Sequence, residues 1–353
     1  VRTAIGTFAG SLSGISPCDL GTAVAQEAIK RAGLAAADVE QTVLGNVMHS
    51  HPKDMYISRV IAIRAGIPES SPALTLNRLC GSGLQAVVSG AEQIMLGNAD
   101  VVLAGGAECM SRAGHLLTQA RHGQKMGDVK ALDMMIGGLT DPFGNGHMGV
   151  TAENIADRKD IDRAAQDAFA LESHKRASTA IAEGRFKEQI LPITVKQGRK
   201  EAVFDTDEHV RADITAEGLE KLRPAFRKEG SVTAGNASGI NDGAAAVILM
   251  SEGAATAKGA TPLARIVAYG LGGVAPEIMG RGPAPATQQA LSRAGLSVSD
   301  LDVIESNEAF AAQACAVSQE LGLPTDKVNP NGGAIALGHP IGGSCAIILV
   351  KLL

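Results

Sequence analysis

The chain has 353 residues, 45% of them hydrophobic, which is enough for more than one cored domain or for one large duplicated domain. Its net charge of −5 includes no basic block and only 3% of its residues are aromatic, so the composition argues against nucleic-acid, base-stacking and anionic-membrane partners. No apolar run reaches the roughly 18 residues that a membrane span needs, and the five scattered cysteines predict reduced thiols in a cytoplasmic compartment, without a disulfide framework or a metal site.

The chain begins at Val1 without a methionine and stops at Leu353 inside an apolar run that has no capping signal. We expect both ends to be trimmed, so a targeting segment cannot be read from this sequence.

A repeat links the two ends of the chain. Ala28 to Glu40 reads AIKRAGLAAADVE, and Ala290 to Asp302 reads ALSRAGLSVSDLD. Each copy predicts a helix, a glycine cap and the entry to a strand. Three more matches follow in the same order, namely 43–46 with 304–307, 66–68 with 322–324, and 76–77 with 328–329. The order of these matches indicates a duplicated unit.

Each unit alternates amphipathic helices with short β-branched runs, such as VVLAGG (101–106) and VIES (303–306). This alternation is typical of a mostly parallel sheet with helices on its faces. Two such halves are predicted to pack as a layered α/β pair.

Cys80 follows the predicted strand ALTLN and precedes a Gly-Ser-Gly that opens an apolar, Ala-rich helix. At such a strand-to-helix turn, free N–H groups and the helix dipole lower a thiol pKa and can hold an oxyanion. These properties suit a nucleophile. The alternative is a small buried packing residue.

The segment from 110 to 240 has a different texture and no counterpart in the C-terminal half. A polar, Gly- and Met-rich run (114–148) precedes a stretch rich in charged residues (151–189), which we interpret as helical with a solvated face. We interpret the segment as an insertion, which on a rigid scaffold often carries substrate or subunit contacts.

Two polar residues of the second half complete the candidate site. His339, in NPNGGAIALGHPIGGS, occupies the turn that Cys80 occupies in the first half, so pseudo-twofold packing would bring a base to the thiol. Asn307, in SNEAF, ends a predicted strand and could hold a water or orient the histidine. The alternatives are a turn histidine bound to backbone and a helix-capping asparagine.

Seven motifs, in order, resemble the successive signatures of the thiolases, which are acyl-CoA C-acyltransferases. They are NRLCGSGLQA, GGAECMS, HMGVTAEN, KLRPAF, TAGNASGINDGAAA, SNEAFAAQA and NPNGGAIALGHPIGGS. The resemblance covers essentially the whole chain. It implies a duplicated five-layer α/β/α/β/α fold with an inserted loop domain. It also implies three parts, namely 1–109 with 241–262 as the nucleophile half, 110–240 as the loop domain for coenzyme A and tetramer contacts, and 263–353 as the C-terminal half.

The resemblance also implies catalytic roles. Cys80 matches the acylated nucleophile of a ping-pong reaction, and its backbone N–H stabilises tetrahedral intermediates. His339 matches the residue that activates this cysteine and helps to stabilise the enolate of the second acyl-CoA. Asn307 matches the residue that holds a water in that oxyanion site. No cofactor or metal is implied, since coenzyme A is a substrate and product.

The matches on the substrate side are less specific. His147 and Met148 resemble a pair that lines the short-chain pocket, and Ser238 matches a serine that contacts pantetheine; their alternatives are packing or turn residues. Five more residues fall where the family packs coenzyme A or the acyl group, namely Leu139, Arg211, Phe226, Ile240 and Met279. Their alternatives are packing or surface charge.

One family motif, a Cys-x-Gly-Gly roughly thirty residues beyond GHP that supplies the α-proton acid/base, does not occur in this chain. Neither Cys315 nor Cys345 has its context, and we expect the motif beyond Leu353. DMYISRVIA (54–62) looks like the bacterial β-ketothiolase branch associated with polyhydroxyalkanoate synthesis, which accepts acyl chains longer than acetyl.

The leading hypothesis is therefore a cytoplasmic, homotetrameric enzyme, a dimer of dimers, that condenses two acyl-CoA molecules to 3-ketoacyl-CoA or performs the reverse thiolysis. A ketoacyl synthase shares the fold and the nucleophilic cysteine, but GHP and the NEAF asparagine argue against it. A catalytically silent acyl-CoA-binding or assembly subunit is the alternative from another class, favoured only by the missing cysteine.

Overall fold

The computed structural model describes residues 1–353, with the side chain of Gln197 excepted. The strands are β1 (Arg2–Thr3), β2 (Gly6–Thr7), β3 (Gln41–Gly45), β4 (Ala73–Leu76), β5 (Val101–Cys109), β6 (His115–Leu116), β7 (Leu132–Asp133), β8 (Thr140–Asp141), β9 (Gly146–His147), β10 (Ile190–Leu191), β11 (Ile193–Gln197), β12 (Lys200–Phe204) and β13 (Asn241–Met250). The α-helices are α1 (Pro17–Arg31), α2 (Ile57–Arg64), α3 (Ser82–Met95), α4 (Met134–Gly138), α5 (Met148–Arg158), α6 (Arg163–Ala182), α7 (Ala216–Glu220), α8 (Glu252–Lys258), α9 (Pro283–Ala294), α10 (Ala311–Leu321), α11 (Ala334–Leu337) and α12 (Ile341–Leu352).

The main sheet has the strand order β10-β1-β13-β5-β3-β4, and β2 also pairs with β13. Strand β3 pairs in parallel with β4 and β5, and β1 pairs in parallel with β10. Strand β13 runs antiparallel to β1, β2 and β5. The prediction of a mostly parallel sheet is therefore wrong. The sheet is mixed because β13, which follows the long insertion, re-enters its centre in the opposite direction.

Helices cover both faces of the central strands. Every residue of β5 is buried. A Cβ placed on Gly21 of α1 would lie 3.4 Å from Ala107 on one face, and a Cβ placed on Gly106 would lie 2.1 Å from the carbonyl oxygen of Gly342, in α12, on the other. Because successive residues of a strand point to opposite faces, β5 is enclosed by a helix from each side.

The repeated sequence forms the same local structure twice. Helices α1 and α9 each end before a left-handed glycine, Gly33 with φ +70° and Gly295 with φ +68°. A short 3₁₀ turn follows each glycine and ends at an aspartate. The carboxylate of Asp38 accepts from the N–H of Ala35, and that of Asp300 accepts from the N–H of Ser297, both at 2.8 Å. The predicted duplication is thus visible as matching helix ends.

The predicted strand VIES (303–306) is represented only by a parallel bridge between Ile304 and Val328. The N–H of Ile304 donates to Lys327 O at 2.9 Å, and the N–H of Asn329 donates to Ile304 O at 2.8 Å. One bridge does not make a ladder, so this part of the second half follows the expected chain path without a regular strand.

The segment from 110 to 240 contains α4 to α7, the hairpin of β11 and β12, and two small two-stranded sheets. It also supplies β10 to the edge of the main sheet, beside β1. Among the described helices, none has the length and apolar composition that crossing a membrane requires.

Candidate active site

Cys80 lies in the turn between β4 and α3, one residue before Gly81, the N-cap of the helix. The hydroxyl of Ser82 fixes this turn, because it accepts from the N–H of Arg78 at 2.8 Å and donates to the carbonyl of Leu79 at 2.7 Å. Leu79 has φ +46°, a left-handed conformation that a side chain rarely adopts. The turn that carries Cys80 is therefore strained at Leu79 and held by the hydrogen bonds of Ser82.

The second glycine after Cys80 serves the packing of the two halves. A Cβ on Gly83 would lie 2.5 Å from the backbone nitrogen of Ala346 in α12. Helix α12 can approach α3 only because this position lacks a side chain. Within the Gly-Ser-Gly, Ser82 therefore holds the Cys80 turn by hydrogen bonds, and Gly83 allows α12, the helix that follows His339, to pack closely.

His339 is buried and directly faces Cys80. Its Nε2 lies 3.1 Å from the Cys80 sulfur, and its backbone N–H donates to Oδ1 of Asn241 at 2.8 Å. The structure therefore brings together the two residues that the repeat places in equivalent turns.

Ser344 supports the other side of the imidazole. Its Oγ lies 2.6 Å from Nδ1 of His339 and 3.0 Å from the carbonyl oxygen of Pro340. If the hydroxyl hydrogen points to Pro340, Nδ1–H donates to Oγ and Nε2 is a free acceptor; if it points to Nδ1, Nε2 carries the proton and donates. The hydroxyl thus accommodates both neutral tautomers of the ring.

Burial determines the charge state of this pair. It lowers the pKa of His339 to about 4 and raises the pKa of the Cys80 thiol to about 11. The backbone N–H of Cys80 opposes the rise, and the charge of Glu108 adds to it. The backbone N–H thus lowers the thiol pKa in the expected direction, but desolvation outweighs it and the net pKa is raised. At neutral pH the pair is a thiol beside a neutral imidazole.

Asn307 lines a small cavity beside the histidine segment. This cavity is also lined by Gly338, Pro340 and Ser344. The Oδ1 atom of Asn307 is buried and has no hydrogen-bond partner among the described residues. The structure places this side chain near the elements that support His339, without a direct hydrogen bond between the two.

An apolar cluster packs beside Cys80. Met48, Met110 and Ile341 are its buried members, and Cys80 packs against it. Leu139 and Ile240, two of the predicted acyl-pocket residues, belong to the same cluster. Methionine side chains adapt to irregular shapes, so this cluster makes a deformable apolar lining.

His147 and Phe226 stack, with ring centroids 4.8 Å apart and an interplanar angle of 17°. Phe226 also meets Phe310 edge to face at 6.0 Å. The Nδ1 atom of His147 accepts from the N–H of Gly149 at 3.1 Å and caps α5, and burial lowers the pKa of this histidine. Its Nε2 is thus left as the ring atom that can donate to a ligand.

The remaining predicted substrate residues are spread more widely. The backbone N–H of Met148 donates to the carbonyl oxygen of Leu139 at 2.8 Å, which connects Met148 to the apolar cluster beside Cys80. The backbone N–H of Ser238 donates to the carbonyl oxygen of Ala309 at 3.0 Å, two residues after Asn307. Met279 lies in a 3₁₀ turn that packs on α5. Arg211 is exposed, and its backbone N–H donates to His174. No contact joins Arg211 to Cys80 in the part of the chain that the structure describes.

Sequence reasoning missed Ser344, Asn241 and Phe310. The sequence does contain a signal for Ser344. It lies four residues, about one helical turn, after Pro340, which directly follows His339, so a helix starting there brings its hydroxyl back toward the histidine. Asn241 reaches His339 across 98 positions of sequence, and only the packed fold reveals that contact.

Comparison with known proteins gives consistent matches over the whole chain. The family model "Thiolase, N-terminal domain" matches residues 1–253, and "Thiolase, C-terminal domain" matches residues 260–353. Beta-ketothiolase BktB of Cupriavidus necator is 59% identical over 354 residues, covering 100% of this chain and 90% of that protein. An acetyl-CoA acetyltransferase of Pseudomonas aeruginosa is 52% identical with the same coverage.

Solved structures confirm the predicted fold class. The crystal structure of the Bacillus anthracis acetyl-CoA acetyltransferase matches with a TM-score of 0.97 and 49% identity, covering 100% of this chain and 89% of that one. Human mitochondrial 3-ketoacyl-CoA thiolase in complex with CoA matches with a TM-score of 0.97 and 45% identity, covering 99% of this chain and 88% of that one.

Proposed function

The chain belongs to the thiolase family, and from this premise we propose that Cys80 carries the acyl group in a reversible transfer between two acyl-CoA molecules. The products of condensation are a 3-ketoacyl-CoA and free coenzyme A, and thiolysis is the reverse. The observation that carries the proposal is the 3.1 Å contact between the Cys80 sulfur and Nε2 of His339.

In the first half-reaction, the Cys80 thiol gives its proton to Nε2 of His339, and the sulfur attacks the thioester carbonyl. The backbone N–H groups at the start of α3 face the developing oxyanion. When the tetrahedral intermediate collapses, the bond to the coenzyme A sulfur breaks, and the leaving thiolate takes the proton from His339. Because resting Cys80 is a thiol, this proton transfer belongs to the acylation step.

In the second half-reaction, a base removes the α-proton of another acyl-CoA, and the resulting enolate carbon attacks the acyl-Cys80 carbonyl. The bond to the Cys80 sulfur then breaks, and the Cys80 thiolate takes a proton from the protonated base. We assign the base to the cysteine of the family's Cys-x-Gly-Gly motif, which residues 1–353 do not contain. The enolate oxygen needs hydrogen-bond donors, which we assign to Nε2–H of His339 and to a water held by Asn307. The Ser344 hydroxyl, turned from Pro340 to Nδ1, supports the tautomer that donates. The unpartnered Oδ1 of Asn307 supports a role in ordering water at the cavity.

For substrates we propose short-chain acyl-CoA, with acyl groups longer than acetyl accepted, in the polyhydroxyalkanoate-associated β-ketothiolase branch. The deformable cluster around Cys80 supports this choice. His147, Met148, Phe226, Ser238 and Met279 are assigned to coenzyme A or acyl contacts, as are Leu139 and Ile240; Arg211 and other exposed cations face its phosphates. No cofactor beyond this substrate is proposed.

We also propose a homotetramer in the cytoplasm. Exposed apolar side chains are frequent in the 114–148 run of the insertion, including Leu116, Met126, Ile136 and Phe143, which supports subunit contacts there. The five free cysteines support a reducing compartment. Light scattering that returned a monomer would overturn the assembly proposal.

The decisive experiment for the activity is mass spectrometry after brief exposure to acetyl-CoA, followed by peptide mapping. One acetyl group on the Cys80 peptide is expected, and none in Cys80→Ser. Cys109→Ser, which removes a buried thiol of β5, is the matched control and should still be acetylated. An unlabelled Cys80 despite bound coenzyme A would overturn the proposal.

A further inference from the structure

A second buried group lies behind the catalytic pair. Glu108, near the end of β5, is 0% exposed. Its Oε1 accepts from Asn46 Nδ2 at 3.0 Å and from the N–H of Met48 at 3.1 Å. Its Oε2 accepts from the N–H of Val47 at 2.9 Å and from the N–H of Gly342 at 3.0 Å. All four partners are N–H donors, which is the environment of an ionised carboxylate.

The bond to Gly342 crosses between the two halves of the protein. Gly342 is the second residue of α12, three positions after His339, and its N–H is one of the groups that a helix start leaves without an intrahelical partner. A carboxylate at this position is stabilised by the helix dipole. Glu108 therefore anchors the start of the helix that directly follows His339.

The packing around this contact leaves little freedom. A Cβ on Gly342 would lie 2.7 Å from Oε2 of Glu108 and 3.0 Å from Cα of Asn46. A Cβ on Gly45, at the end of β3, would lie 3.1 Å from the carbonyl oxygen of Gly342. The first turn of α12 is thus seated on the carboxyl ends of β3 and β5, with the carboxylate as its polar contact.

We propose that Glu108 is a positioning residue for the acyl-transfer reaction, which holds the His339 turn at proton-transfer distance from Cys80 through its bond to Gly342. This inference rests on the proposed function. Loss of the bond would leave buried N–H groups unpaired and let the start of α12 shift, and small shifts at a reacting centre cost large factors in rate.

Glu108 also affects the pKa of the Cys80 thiol, and a general loss of stability would not have this effect. Glu108 raises the pKa of the Cys80 thiol, and Cys80 is also faced by His339 and Cys345. Burial raises the pKa of Glu108 itself to about 7, its N–H partners oppose this rise, and the charge of Asp54 adds to it. Removal of the carboxylate should therefore make the thiol easier to ionise while slowing turnover.

The test uses two variants and a control. Glu108→Gln keeps the shape and removes the charge, whereas Glu108→Asp keeps the charge and shortens the reach. Glu153→Gln is the matched control, because Glu153 is also 0% exposed and accepts from the N–H groups of Ser231 and Val232, in a different part of the fold. For each protein we would measure kcat and KM with acyl-CoA, and the pH profile of Cys80 alkylation by iodoacetamide.

We expect Glu108→Gln to lower kcat by about tenfold or more with little change in KM, and to move the alkylation profile to lower pH. Glu108→Asp should lower kcat without moving the alkylation profile. If Glu108→Gln does not fold, Glu108→Asp remains as the test. Glu153→Gln should keep the wild-type alkylation profile.

An unshifted profile in Glu108→Gln, or a kcat within about twofold of wild type in either Glu108 variant, overturns the inference. An equal kcat loss in Glu153→Gln overturns it as well. Failure of the proposed function would show instead as absent turnover in the wild-type protein, while the alkylation profiles would remain readable.

Discussion

Nε2 of His339 lies 3.1 Å from the sulfur of Cys80, although 259 positions of sequence separate the two residues. Cys80 belongs to the segment matched by the N-terminal family model, and His339 belongs to the segment matched by the C-terminal one. The contact between sulfur and imidazole therefore exists only when the two segments are packed together.

Ser344→Ala is expected to slow acylation of Cys80 by about tenfold to a hundredfold with a small effect on KM. The variant removes the only side-chain hydrogen bond of His339 Nδ1 among the described residues, so neither tautomer is held. Rapid-quench mass spectrometry of the acetyl-enzyme measures the rate. Ser344→Thr keeps the hydroxyl and its bond to the carbonyl of Pro340, and should retain most of the wild-type acylation rate. Equal rates in wild type and Ser344→Ala would contradict this role.

Gly149→Ala is expected to raise KM for acyl-CoA by about tenfold. The new Cβ would lie 2.3 Å from the ring of Phe226, so the ring must leave its stack on His147. Gly253→Ala, in α8, is the control because no atom lies within 4 Å of its new Cβ. Steady-state kinetics on both variants decide the matter, and an unchanged KM in Gly149→Ala would show that the stack does not shape the binding site.

Lys351→Met is expected to lower the free energy of unfolding by about 3–5 kcal/mol. The ammonium of Lys351 donates to Glu305 at 2.7 Å and to the carbonyl of Gly332 at 2.6 Å, and both charged side chains are 2% exposed. The substitution leaves a buried carboxylate without its partner.

Chemical denaturation of Lys351→Met measures this loss. Arg265→Met is the control, since its ion pair with Glu252 is 75% and 79% exposed and should be worth no more than about 1 kcal/mol. Similar losses in the two variants would contradict the importance of the buried pair.

Stability should fall as the pH decreases from about 6.5 toward 4, because His174 and His209 are buried in neutral form. Burial lowers the pKa of both to about 4; neighbouring charges at His209 and Arg211 lower that of His174 further, and Arg211 lowers that of His209. Below the unfolded pKa the unfolded state binds more protons. The stability is therefore complete above pH 6.5 and is lost progressively below it.

His174→Asn tests this dependence by thermal denaturation at several pH values. The asparagine can still accept from the N–H of Arg211, which donates to His174 at 3.1 Å, so the pH dependence should become shallower. The exposed His122→Asn should follow wild type. A pH dependence in His174→Asn as steep as in wild type would exclude His174 as its source.

Local signals predicted much of the fold and the site. The glycine caps at Gly33 and Gly295 and the turn at Cys80 each depend on a few adjacent residues, so their sequences are sufficient. The sequence could not give the direction of β13, because that depends on how a long insertion returns to the sheet. It could not give the thiol pKa either, because desolvation comes from residues such as Ile341 that reach Cys80 only in the packed fold.

The role of Glu108 could not be predicted from local sequence either. Its motif GGAECMS contributed to the family resemblance, yet its partner Gly342 is 234 positions away, and no local pattern links them. The roles of Cys80, His339 and Asn307, and the domain boundaries, stay predictions.

The glycine contacts between β3, β5 and the start of α12 have an evolutionary consequence. At Gly106 and Gly45 a methyl group would lie 2.1 and 3.1 Å from the backbone carbonyl oxygen of Gly342, and at Gly342 it would lie 2.7 Å from the Glu108 carboxylate, so the spacing depends on these positions having no side chain. Substitutions elsewhere in the core can therefore accumulate and alter stability while the separation of nucleophile and base is inherited unchanged. Descendants of such a protein are free to diversify their substrates, since pocket residues and catalytic spacing are encoded at different positions.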